Sequence, residues 1–275
     1  MDPIKLRKIG ITVLVLGIVG FLVMFFAFFD FSFISMFLFI PIFPIFWIIG
    51  VVCLVISKNS FHKNIGTYLS KNCYEVEYYY KPNPDKIEDI LTKSHLFEDI
   101  STYCKMGNNL IICRDNNYLS FDFKYYYYRR DSDGDTVEHT VFNGRLYKID
   151  LGFTLDFDLC IRENQLNKSF KGLTLPKLDI DYHLFSDKFT VYTNDFVGAK
   201  NFLSSDVMDA IMNLELSYDG KFFISFIDGF CYVMISNNQQ TFSMKANSAE
   251  QSAIRGFCRQ QEVVDKVKHA FRYVK

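Results

Sequence analysis

The chain has 275 residues, 49% of them hydrophobic and 17% aromatic, with a formal net charge of −1. Near-neutrality hides three regions: residues 1–63 carry five Lys/Arg against two acids, residues 64–245 carry 19 against 26, and residues 246–275 carry six against three. The acidic middle lacks the basic face that nucleic-acid binding needs, so nucleic acid is set aside as a partner.

From Ile9 to Phe29 there are 21 residues without a charge, and after Asp30 another 26 run from Phe31 to Ile56. A hydrocarbon core of about 30 Å takes about 20 apolar residues per helix, and backbone groups there are satisfied only within regular structure. The expectation is a short N-terminus (1–8), two transmembrane helices (9–29 and 33–56) and a tight turn at Asp30, Phe31 and Ser32. A cleaved signal peptide would share the basic start at Lys5, Arg7 and Lys8, but no Ala-x-Ala site follows and a second span comes at once. Pro41 and Pro44 predict a kink or an irregular start to the second helix.

Lys5, Arg7 and Lys8 precede the first span, Lys58, Lys63 and Lys71 follow the second, and the turn between them has no basic residue. The positive-inside rule then places both termini in the cytoplasm. Seven cysteines, an odd number without a C-x-x-C pair, read as free thiols of a reducing compartment.

Residues 57–73 read as a polar connector. In the domain expected over 74–245, YEVEYYY (74–80) predicts a strand, and Asn83-Pro84 caps a helix whose apolar face is Ile87, Ile90 and Leu91. Strands are predicted at 108–115, 118–130, 136–151, 154–163 and 188–195. In TLDFDLC (154–160), Leu155, Phe157 and Leu159 alternate with Asp156 and Asp158, which predicts a strand with one wet face. A short helix is expected over 196–203 and a second, capped by Ser205, along Val207, Ala210, Ile211 and Leu214. A hairpin over 221–236 turns at Asp228-Gly229, TFSM (241–244) is a last strand, and a C-terminal amphipathic helix occupies 246–275. Its apolar side would be Ile254, Phe257, Val264, Val267, Phe271 and Val274. The fold class is therefore α+β: a two-helix transmembrane hairpin followed by one cytoplasmic domain with a mainly antiparallel sheet and flanking helices.

SHLFEDISTY (94–103), VFNGRLYKIDL (141–151) and DKFTVYTNDFVGAKNFLSSDVMDAI (187–211) give the chain a further character. In these segments the chain resembles a bacterial membrane-anchored family of unknown function, sometimes labelled galanin-like. Phe142, Gly144, Phe189, Val191, Tyr192, Asp195, Ala199, Leu203 and Met208 match its pattern, whereas Lys200 replaces an Arg and Ser204-Ser205 replaces Thr-Pro. The resemblance spans most of residues 90–245 and implies the same two leading spans, but no activity.

Phosphate-loop, dinucleotide, zinc-protease and nucleophile-elbow signatures are absent from the sequence. Asp131, Asp133 and Asp135 alternate as in a calcium loop, yet Gly134 comes too early and no Glu closes the loop, so a solvated hairpin tip is the better reading. Asp179, Asp181 and His183 would share one face of a strand and could serve acid–base chemistry. Tyr125 to Tyr128 offer stacking surface or an ordinary strand. No catalytic, cofactor-binding or metal residue is assigned, and no small-molecule ligand. The expected function is a non-catalytic binding or scaffold domain held at the membrane, with the bilayer and a protein as partners. A membrane-bound hydrolase-like enzyme and an assembly subunit acting through the helix hairpin are the alternatives.

Overall fold

The structure is a computed structural model that describes residues 2–27, 42–96, 104–164, 175–218, 220–236, 241–242, 244 and 248–272. It divides into two compact units, Met1–Leu69 with Phe242–Arg255, and Ser70–Thr241 with Gly256–Lys275.

The first unit holds α1 (Pro3–Ala27) and α2 (Ile42–Asn72). Among the described residues one helix, Pro44–Asn72, is long and apolar enough to cross a membrane, which suggests membrane association without supporting a count of two spans. The turn expected at Asp30 lies outside the described residues, as does part of each expected span. Pro44 falls in the first turn of α2, where a missing N–H leaves nothing unsatisfied, while Pro41 and the expected irregular entry lie outside the described residues. The stretch read as a polar connector is helical as far as Asn72.

Glycines let α1 and α2 touch. A Cβ on Gly10 would stand 3.1 Å from both the Gly50 carbonyl oxygen and Cys53 Cβ, and one on Gly50 would meet Leu14 at 2.5 Å. Near the other end of the pair, Ser57 Oγ donates to the Pro3 carbonyl at 2.5 Å and the Arg7 guanidinium donates to the Met244 carbonyl at 3.1 Å. Away from these contacts the helices present apolar side chains outward, among them Leu16 at 60% exposure and Ile48 at 62%.

The second unit is built on a sheet that has nine strands among the described residues, ordered β1-β2-β3-β4-β9-β8-β5-β7-β6 and antiparallel at every pairing. The strands are β1 (Val76–Tyr79), β2 (Cys104–Cys113), β3 (Tyr118–Arg130), β4 (Thr136–Asp150), β5 (Leu159–Glu163), β6 (Lys177–Leu178), β7 (Phe189–Thr193), β8 (Lys221–Ile227) and β9 (Phe230–Ser236). The β8–β9 turn is the expected one: Asp228 (φ 50°) and Gly229 (φ 77°) both take the left-handed region that a two-residue hairpin demands.

One sheet face is covered by α3 (Pro84–Lys93), where the Asn83 side chain accepts from the Asp85 amide and Ile87, Ile90 and Leu91 are buried, as expected. They pack with Phe121, Phe123, Phe142, Leu146 and Phe223. Directly after α3, the chain is tied to the sheet through its backbone. Ser225 Oγ donates to the Ser94 carbonyl (2.7 Å), and the buried Arg162 donates to that of Leu96 (2.5 Å).

The opposite face meets the later part of α7 (Ala249–Ala270), from Gly256 onward, with Phe271 edge-on to Phe226. Val264, Val267 and Phe271 are buried as expected, but Ile254 is 43% exposed, and Ala253 and Gln260 take the buried positions instead. Three further expectations are corrected. Residues 154–158 are not a strand, and β5, paired with β7 and β8, is buried at every position, so it has no wet face. Thr241 and Phe242 form a bend rather than a last strand. Ser204, not Ser205, occupies the cap of α6 (Ser205–Leu216), which follows α4 (His183–Ser186) and α5 (Phe196–Phe202).

Candidate functional site

A concavity of about 1090 Å³ lies between α6 and α7, within the second unit. Both helices build it from one stripe each. On α6, Asp206, Asp209, Ala210, Asn213 and Leu214 follow helical spacing; on α7, Phe257, Gln261, Asp265 and His269 recur every fourth residue. Ala210, Leu214, Phe257 and Ala270 give the groove an apolar floor, while Asp206, Asp209, Glu262 and Asp265 line it with acid. Lys266 is the single lysine in the lining, and its ammonium is held 2.9 Å from Glu262. The Tyr182 hydroxyl donates to Asp209 at 3.1 Å. Sequence reading treated α7 as a helix with basic flanks and did not join it to α6; the acids at positions 206, 209, 262 and 265 were the available signal.

Two buried polar clusters support the sheet around this face. The Arg145 guanidinium donates through Nη1 to Asp122 Oδ1 (2.7 Å) and Thr241 Oγ1 (2.5 Å), and through Nη2 to the Asn109 carbonyl (3.2 Å) and to the Ser120 carbonyl (3.2 Å) and hydroxyl (3.0 Å). Ser120 Oγ in turn donates to Gln260 Oε1 at 2.9 Å, which ties α7 to β3.

In the second cluster, Glu163 ends β5 against Glu215 of α6, and Glu215 pairs with Lys188. Burial, then a hydrogen bond to Glu215 and the repulsion between the two carboxylates, push the Glu163 carboxyl up to about 7. A carboxyl raised in the folded state stabilises the fold most fully when protonated, so this contribution is complete below about pH 4.5 and lost as pH rises through about 7. Glu163→Gln should flatten the fall in melting temperature over that window, as measured by thermal unfolding at stepped pH.

The residues singled out in the sequence fall at separate places in the sheet unit. Asp179, Asp181 and His183 are all exposed, because β6 ends at Leu178 before the alternation can begin and His183 instead opens α4. The acid–base reading of that cluster loses its geometric basis. At the hairpin tip, Asp131 Oδ1 accepts the amides of Asp133 (3.0 Å) and Asp135 (2.9 Å), so one of the three carboxylates is already engaged in shaping the turn. Of the four tyrosines, Tyr125 is core, Tyr126 and Tyr128 meet edge-on, and Tyr127 stacks on His139 at 5.2 Å. The matching residues of the family resemblance are structural: Phe142, Phe189, Val191, Ala199 and Leu203 are buried, and Asp195 caps α5 by accepting the Val197 amide at 3.0 Å.

No curated protein matches the sequence. Among solved structures, the crystal structure of the mycobacterial trehalose monomycolate transport factor A, TtfA, aligns over 77% of this chain and 94% of its own at 9% identity. Its TM-score is 0.41, a level of likeness that carries no argument about this protein. Residues 140–274 match the model of a family described as a protein of unknown function (DUF3137), and that stretch contains every residue lining the α6/α7 groove.

Proposed function

We propose that the protein is a membrane-anchored, non-catalytic binding domain: α1 and α2 form a two-helix transmembrane hairpin, and the sheet domain stands on the cytoplasmic side with both termini. The observation that carries the anchoring is the outward apolar surface of both helices. Residues spaced all round α1 (Ile9, Ile11, Val15, Leu16, Ile18, Val19) and α2 (Ile45, Ile48, Val51, Val52, Val55) are each 43–62% exposed. A soluble monomer rarely shows a contiguous apolar patch beyond a few hundred Å², and hydrocarbon is the solvent in which such a surface costs nothing. The approach of Gly10 to Gly50 supports pairing of the two helices, since small residues let helix backbones close up in lipid. The orientation rests on the basic residues that flank the pair.

Carbonate-washed membranes should retain the full-length chain, a C-terminal fluorescent protein fusion should glow, and a C-terminal alkaline phosphatase fusion should be inactive. Release into the wash, or active phosphatase, would overturn the anchoring or the orientation respectively.

A further inference from the structure

Resting on the reading of a membrane-anchored binding domain, we propose that the α6/α7 groove docks a basic amphipathic helix of a partner protein. Shape and charge choose this occupant together. An apolar floor between two walls of helix takes the apolar stripe of a third helix. Because α6 has 12 residues, and a helix rises about 1.5 Å per residue, the groove accommodates roughly three turns of the guest. The walls then select by sign. Asp206, Asp209 and Asp265 are exposed, and the lining's one lysine is already paired with Glu262. Lys or Arg on the polar flanks of the guest would meet carboxylates on both sides, whereas an acidic helix or an anionic lipid surface would be repelled. Membrane proteins concentrate Lys and Arg in the cytoplasmic segments next to their spans, so helices of this kind surround a domain held at the inner face.

The test uses the full-length chain in nanodiscs of zwitterionic lipid, with empty nanodiscs as the blank. The probe is a fluorescein-labelled 14-residue Leu/Lys amphipathic helix, and the comparison peptide carries Glu at each Lys position. Anisotropy should report saturable, salt-sensitive binding of the Lys probe alone. Cys258, exposed in the groove lining, should become slower to react with a maleimide, as read by peptide mass mapping. Asp206→Asn, Asp209→Asn and Asp265→Asn combined should weaken binding about tenfold or more.

Equal binding of the Glu peptide, unchanged affinity in the triple variant, or unprotected Cys258 at saturation would each overturn the proposal. So would Cys258 protection by self-association without the probe, which would make a second copy the occupant. A chain that fails to embed sinks the anchoring reading, and the same titration on that unembedded chain still decides the groove.

Discussion

Gly144→Ala is expected to unfold the sheet domain at growth temperature. A Cβ at this position would lie 2.0 Å from the Ile235 carbonyl oxygen and 2.7 Å from Ser236 Cα, both backbone atoms of β9. No rotamer change relieves a clash with main chain, so β4 and β9 must separate where the ladder from Arg145↔Ile235 to Asp150↔Phe230 begins. Overpacking in a core costs about 1–3 kcal/mol where side chains can yield, and here they cannot, so the loss should reach or exceed about 3 kcal/mol by that measure. Differential scanning fluorimetry should show the cooperative transition lowered by roughly 10 °C or abolished. Asn143→Ala, one residue away and exposed, should melt close to the parent.

Arg145→Met is the second large effect. The side chain is 4% exposed, and its removal takes the cation from Asp122, which is 20% exposed and keeps the Asn109 amide and Thr241 hydroxyl as donors, and a donor from two backbone carbonyls. Breaking a buried ion pair from one side costs roughly 3–5 kcal/mol, because the remaining charge stays uncompensated. For a domain of this size that corresponds to a melting temperature lower by about 10 °C. Arg145→Met combined with Asp122→Leu should recover much of the loss, since no charge is then left buried. Lys at the same position should not restore the parent, because one ammonium cannot reach the five acceptors that the two guanidinium nitrogens serve. A double variant as unstable as the single one would show that the position matters for shape alone.

Features whose causes lie within a few residues were legible in the sequence. The Asn83 cap, the Asp228-Gly229 turn, the limits of β3 and the buried stripe of α3 each follow from local chemistry. What failed depended on partners distant in the chain. TLDFDLC alternates perfectly, yet its first residues are not in the sheet, and Leu159–Glu163 is flanked by strands that lie 26 or more positions onward. The pairing of Arg145 with Asp122 required knowing that β3 and β4 run with those two residues opposite. The candidate groove was least legible of all. It exists only because α6 and α7, separated by the β8–β9 hairpin, both pack against the same sheet domain, and no periodicity within either helix announces the other.

The long β3–β4 hairpin has a consequence of its own. Among the described residues, β2 pairs with β3 as far as Tyr126 and β9 with β4 from Arg145 onward, so residues 127–141 run as a two-stranded ribbon with no described strand on either outer edge. Such a ribbon is a ready template for another chain, and proteins guard against this with charge and with twist. Here the bulge between Tyr125 and Tyr126 and the Lys124–Glu138 ion pair sit at the base of the ribbon, and Arg129, Arg130 and the aspartate-rich tip fall on the ribbon itself. The tyrosines make the ribbon adhesive and the charges keep it solitary. The three aspartates at its tip add to the charge that holds off a second ribbon.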